Sequence, residues 1–253
     1  MKKVTEIAKK YWPTVLIFAG LVALYCFLAD NKLVNPYFFP TSDSIIKSLD
    51  ENMGLFFSNM IASFKLLIPS IAISLLIALV LGAIMGLNER IREVLHPVIY
   101  ALSVIPAILL SPFVLLLAPS IFVASVILIV YNIVWATLFG TITGIMTIDK
   151  RYLDKAATLE IKGVKRFFKV ILPAASPSII SGFVNSLRSS FLMLVFAEMY
   201  GAAEGMGYFV KKNADLGIFS NTWSGFVFMV IVLVIVMQIF EVIKKRMLRW
   251  TVD

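Results

Sequence analysis

Charge, cysteine and histidine are all scarce in this sequence. Only 15% of its 253 residues are charged, against roughly one quarter in an average soluble domain. With 60% hydrophobic residues, the chain reads as a membrane protein. The one cysteine, Cys26, lies inside an apolar run, so neither an intrachain disulfide nor a cysteine metal cluster can form. The one histidine, His96, stands beside Pro97 without a second histidine at metal spacing, and reads as a membrane-edge residue rather than a metal ligand. No G-x-x-x-x-G-K-[ST], H-E-x-x-H or G-x-S-x-G occurs, which argues against a phosphate-binding loop, a zinc protease and a serine hydrolase of those types. The sequence thus offers no catalytic residue, no metal site and no cofactor of its own.

Long uncharged runs are what the chain has in quantity: 13–29, 66–88, 97–148, 170–187 and 216–240. A helix needs about 20 apolar residues to cross the hydrocarbon core. The run 97–148 therefore holds two spans, with Leu117-Ala118-Pro119-Ser120 as the turn between them. Six transmembrane helices are expected, near 13–30, 62–87, 98–117, 121–147, 176–200 and 222–243, in one all-α transmembrane domain covering 1–253. The first run follows a basic start but lacks a small-x-small cleavage site at its end, and is read as a retained span.

The formal net charge of +8 tempts one toward nucleic acid, but the positions of the basic residues point to orientation instead. Lys2, Lys3, Lys9 and Lys10, Arg90 and Arg92, the seven between Lys150 and Lys169, and Lys244, Lys245, Arg246 and Arg249 share one side of the six-span scheme. Only Lys32, Lys47, Lys211 and Lys212 fall on the other, with Lys65 and Arg188 inside spans. The positive-inside rule then puts both termini in the cytoplasm. Residues 31–58 and 201–221 become external connections. Thr41 or Ser42 is a candidate N-cap for a short surface helix, and the glycine-rich 201–221 is expected to dip back toward the membrane.

The cytoplasmic stretch 154–177, DKAATLEIKGVKRFFKVILPAASP, interrupts the oil. If it is helical except near Gly163, then Ala157, Ile161, Val164, Phe168 and Ile171 share an apolar face, and Lys162, Lys165, Arg166 and Lys169 form a basic stripe. An interfacial helix resting on anionic lipid has the same pattern. The order of residues goes further. It resembles the cytoplasmic loop of binding-protein-dependent ABC importer permeases, E-A-A-x-x-L-G-A-S, then an aromatic, then V-x-L-P-A-A-x-P. Asp154 stands at the acidic position, Ala156 at the second alanine, Leu159 at the leucine, Phe167 at the aromatic, and Val170, Leu172, Pro173, Ala174, Ala175 and Pro177 at the exit. Lys155 replaces the first alanine and Glu160 the usual glycine, so the turn is expected to move to Gly163.

The resemblance extends along the chain. Ser63-Phe64-Lys65 looks like the family's S-x-R/K, Ile105-Pro106 through Ser111-Pro112 like its proline-rich third span, and Gly182 with Leu187-Arg188 like its G-x-x-x-x-L-R. Ala197-Glu198 followed by Gly205-Met206-Gly207-Tyr208 looks like the A-E…G-x-G-Y of the nitrate, sulfonate and taurine branch, and Arg249-Trp250 suits that branch too.

The resemblance implies a type I importer permease fold in a bacterial inner membrane. It implies two permease copies, a homodimer, around a pathway, and an external solute-binding protein. It also implies two cytoplasmic ATPase subunits carrying the ATP and magnesium. Residues 149–175 would be the coupling loop, with Asp154, Ala156, Leu159, Glu160, Gly163, Phe167, Phe168 and Pro173 at the ATPase contact. The cargo implied is a small anion such as a sulfonate, taurine or nitrate, or a small heterocyclic vitamin precursor.

Polar groups within spans are costly and are functional candidates by default. Arg188 either attracts an anionic substrate or pairs with a carboxylate on a neighbouring helix. Glu198 reads as a brace for 201–221 rather than a substrate contact, a glutamate being a poor ligand for an anion. Asn132 and Ser186 either line a pathway or join helices to each other. An intramembrane enzyme would need a convergent nucleophile, base or metal set that is not seen here. A secondary transporter or channel for small anions could use Arg188 and Glu198, but gives no reason for the 154–177 pattern.

Overall fold

A computed structural model describes residues 2–248. Arg249 and Trp250 lie outside the described residues. The fold is all-helical, with five helices long and apolar enough to cross a membrane, or six when one bent pair is counted as a span. In chain order they are α1 (Lys2–Asp30), α2 (Ser42–Glu51), α3 (Met53–Leu87), α4 (Glu89–Val104), α5 (Ala107–Leu117), α6 (Ile121–Met146), α7 (Lys150–Thr158), α8 (Gly163–Arg166), a π-turn (Phe167–Ile171), α9 (Leu172–Gly201), α10 (Met206–Asp215) and α11 (Phe219–Met247). The chain divides into two compact units, one of residues up to Phe57 with Phe209–Phe228, the other of Ser58–Tyr208 with the chain from Met229 onward.

In the first unit the end of α1 is tied to the start of α2. Asp30 accepts from the Ser42 backbone N–H and from its hydroxyl, each at 2.7 Å. Thr41 occupies the N-cap position of α2, but its side chain makes no cap hydrogen bond. Tyr25 donates to the Pro40 carbonyl at 2.9 Å and Trp223 to that of Phe38 at 2.8 Å. Phe56 stacks on Phe228 and meets Phe209 edge-on. Buried Ser48 reaches the Ser224 hydroxyl at 2.7 Å and Asn221 Oδ1 at 2.8 Å, so the polar groups of this apolar unit satisfy one another. The segment 201–221 is not the simple loop expected: α10 fills its middle and ends before Gly217, whose φ of +72° is natural for glycine.

The second unit is built around α6. Its buried positions Ala124 and Leu128, then Ile133, Thr137 and Thr141, and Val134, Leu138 and Ile142, recur at helical spacing on several faces, so α6 is enclosed by protein. Its main neighbour is α9, and the two meet through small residues. A Cβ added at Gly140 would lie 2.8 Å from the Ser178 carbonyl oxygen, and one at Gly144 2.8 Å from that of Ala175. In lipid, where association rests on contact rather than on expelling water, such close approach is what holds helices together. Outward side chains such as Leu116 and Leu192, 83% and 78% exposed, are suited to face lipid.

The turn expected at 117–120 is present: α5 stops at Leu117, and the Ser120 hydroxyl caps α6 by accepting from the Val123 N–H at 3.2 Å. The straight span expected over 98–117 is not. Here α4 and α5 meet at 90°. Ile105 is extended (φ −73°, ψ 118°) because the ring of Pro106 disfavours a helical residue before it, and the next helix starts only at Ala107.

Candidate functional site

Two places in the second unit concentrate the candidate residues, at opposite ends of α9. The first is the connection from α6 to α9. Asp149 caps α7, accepting from the Arg151 N–H at 2.9 Å, while the Arg151 guanidinium reaches its other oxygen. The side-chain hydrogen bond from Arg151 holds the Asp149 carboxyl below its usual pKa. Helix α7 closes on Leu159, and the Ile161 N–H returns to the Ala156 carbonyl at 2.9 Å.

That return needs a left-handed residue, and Glu160 supplies it with φ +55°. The turn has therefore not moved to Gly163. It stays at the position where the family carries glycine, and Gly163 adds a second left-handed residue at φ +57°. A non-glycine residue in this region costs about 1–2 kcal/mol. Glu160→Gly is accordingly expected to stabilise the chain by about 1 kcal/mol, read as a rise of roughly 2–4 °C in thermal midpoint in detergent.

From Gly163 onward the chain is helical without interruption to Gly201. Within this run Phe167–Ile171 takes the wider π register, the Leu172 N–H bonding to the Phe167 carbonyl. The physical reason is Pro173, which has no N–H for the carbonyl four residues back and whose ring crowds it. Pro173 and Pro177 thus lie inside a continuous helix rather than starting a new one.

The single apolar face expected for Ala157, Ile161, Val164, Phe168 and Ile171 does not form, because the breaks at 159–163 rotate its parts apart. Ile171 is buried, with Phe167 packed against the cluster of Ala83, Ile145, Ile171, Ala175 and Ile179. Ala156 is buried as well. Tyr152, Leu159, Val164 and Phe168 instead stand outward, 55%, 61%, 74% and 60% exposed. Asp154 is exposed and on α7.

The second place is the junction of α3, α9 and the start of α10. Three successive backbone N–H groups there meet three side chains: Gly205 donates to Asn59 Oδ1 at 2.8 Å, Met206 to Ser63 Oγ at 3.0 Å, and Gly207 to Glu198 Oε2 at 2.7 Å. Glu198 is 1% exposed, and the Ser63 hydroxyl lies beside its carboxylate. A Cβ at Gly205 would sit 2.5 Å from Glu198 Cδ, and one at Gly207 3.1 Å from Glu198 Cβ. Gly205 is therefore required by the closeness of the glutamate and by its φ of +124°, and Gly207 by the α9 backbone, the Val195 carbonyl oxygen lying 2.8 Å from where a Cβ would sit.

The remaining candidates are spread along the spans. Ser186 shares a 3.1 Å hydrogen bond with Thr137, joining α6 to α9. Asn132 Nδ2 is buried with no partner among the described residues. Arg188 pairs with Glu241 of α11 at 3.5 Å, with its own side chain 66% exposed. Sequence reasoning missed Asn59, Thr137 and Glu241, whose partners lie far away in the chain. Ser63 carried a signal, its place in Ser63-Phe64-Lys65, but nothing in the sequence aimed it at Met206.

Comparison with known proteins adds an independent line. Residues 74–251 match the model of a family described as "binding-protein-dependent transport system inner membrane component". A protein of Bacillus subtilis assigned to aliphatic sulfonates transport as a permease is 24% identical over 93% of this chain and 86% of its own. The formylaminopyrimidine transport permease protein of Halalkalibacterium halodurans is 26% identical over 78% of this chain and 79% of its own. The taurine transport system permease protein of Escherichia coli is 22% identical over 92% and 87%. Among solved structures, an amino acid ABC transporter crystallised with histidines matches 80% of this chain and 96% of its own with a TM-score of 0.61 and 19% identity, a likeness of fold.

Proposed function

Because the chain belongs to the family of binding-protein-dependent transport system inner membrane components, we propose that two copies of it form the pathway of an ATP-driven importer. In this reading each copy is one transmembrane domain and docks its 149–175 loop on a cytoplasmic ATPase. That the chain is an ABC importer permease rather than a secondary transporter or channel follows from the family and from its relatives. The ATPases, their two copies, their ATP and magnesium, the homodimer and the cytoplasmic termini belong to the proposal.

The observation that carries the docking reading is the outward exposure of the apolar side chains Tyr152, Leu159, Val164 and Phe168. Four exposed apolar side chains on a basic loop fit a protein groove, as amphipathic helices do. The last two ride on the same uninterrupted helix as the span, so a push on these two side chains is delivered to that span without a flexible joint. The test is purification of the full chain from its native membranes with cross-linking from Val164→Cys in a Cys26→Ser background. A cross-linked ATPase subunit is the expected product; cross-links to lipid-facing or unrelated proteins alone would overturn the reading.

Arg188 supports the pathway part. An exposed guanidinium in an apolar span is too costly to leave against lipid, so it faces water or a second copy, and Glu241 holds it in place. Arg188→Gln is expected to lower uptake about tenfold, the loss of one charge contact, with the dimer still eluting intact. Collapse of the dimer would make the residue structural. The proposed cargo is a small anion such as a sulfonate, taurine or nitrate, or a small heterocycle, delivered from outside by a binding protein.

A further inference from the structure

Within the second unit a cleft of about 350 Å³ runs between α9, from Leu172 to Val184, and α11, from Phe240 to Met247, with Leu75 and Leu79 of α3 completing its walls. Apart from Ser176 and Lys244 those walls are apolar. The stretch of α9 that it follows covers about 18 Å along the helix axis, a little over half of a hydrocarbon core of about 30 Å. The cleft is thus as deep as one leaflet. Near one limit the Phe183 and Phe240 rings meet edge-on, their centroids 6.0 Å apart.

The other limit is basic. Lys244, Lys245 and Arg246 form the last turn of α11 beside Met247, and among the described residues no ion pair engages them. The one carboxylate of α11, Glu241, is taken by Arg188. A water-soluble solute finds almost no polar wall to bind in such a cleft. A second copy in symmetric contact through it would bring the same three cations to the same end, like charge against like. A lipid with an acidic headgroup satisfies both halves, since basic residues at the mouth of a cleft between spans attract that headgroup.

We propose that the α9–α11 cleft binds an acyl chain of an anionic phospholipid, taken from the leaflet on the side of the chain's C-terminus, with the phosphate held by Lys244, Lys245 and Arg246.

The probes are phosphatidylglycerol and phosphatidylcholine with the same palmitoyl and oleoyl chains. Each is added to the delipidated full-length chain in detergent, and binding is followed by native mass spectrometry. Phosphatidylglycerol is expected to bind at least about tenfold more tightly, because each basic residue at the mouth attracts its charge. Lys244→Gln, Lys245→Gln and Arg246→Gln together are expected to bring phosphatidylglycerol down to the level of phosphatidylcholine and to leave phosphatidylcholine unchanged. Ser176→Phe fills the cleft and is expected to weaken both lipids about tenfold. A phosphatidylglycerol with a photoactivatable group in mid-chain is expected to label residues 172–184 and 240–247.

Equal binding of the two lipids, a preference that survives the triple change, or label confined to other helices overturns the site. Unchanged binding of both lipids by Ser176→Phe at an unchanged thermal midpoint overturns it as well. So does a disulfide-linked pair of chains from Ser176→Cys in a Cys26→Ser background, which would mean that a second copy covers the cleft. If Ser176→Phe fails to fold, the position of the photolabel decides in its place.

Discussion

Phe168→Asp is expected to release the ATPase from a permease that is otherwise folded. The side chain is 60% exposed, so the free chain loses little by the change. In the complex proposed here it would be an aromatic anchor in a groove, the type of contact whose removal costs about 2 kcal/mol or more, roughly 30-fold in affinity. An aspartate adds the cost of an unpaired charge at a dry contact. The measurement is the amount of ATPase subunit co-purifying per permease, alongside the thermal midpoint in detergent. Equal recovery from both chains would remove Phe168 from the contact.

Its neighbour gives the opposite result. Phe167 packs against the cluster of Ala83, Ile145, Ile171, Ala175 and Ile179, so Phe167→Asp lowers the stability of the permease, and any loss of ATPase is then secondary. Adjacent phenylalanines that the sequence treats alike are separated by their direction, one into the bundle and one out of it.

This pair illustrates what sequence reading reaches. The runs of uncharged residues and the Leu117–Ser120 turn are local, and they placed most of the span helices and the hairpin between α5 and α6. The loop was legible as a pattern because the family order of residues survives in it. Its shape was not, since a continuous helical projection cannot anticipate a left-handed glutamate at Glu160 or a π-turn forced by Pro173. The 90° bend at Ile105-Pro106 shows the same limit: a proline marks where a helix breaks, while the angle is set by what the pieces pack against.

The brace was half legible. Glu198 was read as holding the 201–221 segment, and its partner proved to be the Gly207 N–H. The partners from α3, Asn59 and Ser63, lie over 140 residues away from the N–H groups they accept, a distance that residue periodicity does not span. Arg188 was open between a carboxylate and a substrate, and Glu241 now accounts for the carboxylate without closing the other role.

The largest effect on the fold is expected from Gly182→Val. Gly182 faces Gly140 across the α6–α9 contact, and a Cβ there would run into the Ala136 carbonyl, backbone that has no rotamer to adopt. Overpacking a core typically costs 1–3 kcal/mol where side chains can shift; against backbone on the main helix contact the loss is expected to exceed about 3 kcal/mol. Since α6 is buried on several faces, parting it from α9 also opens the Thr137–Ser186 hydrogen bond and strands the Thr137 hydroxyl in an apolar interior, Ser186 keeping its bond to the Phe183 carbonyl. The expected outcome is loss of the monodisperse peak in detergent and degradation in the cell. Gly20→Val is the control: it adds the same side chain to the first span, where a Cβ meets nothing within 4 Å, and should leave the peak unchanged. A folded Gly182→Val protein would mean that close backbone approach is not what joins these helices, and that the side-chain contacts around Leu187 and Leu194, each almost fully buried on α9, hold the pair without it.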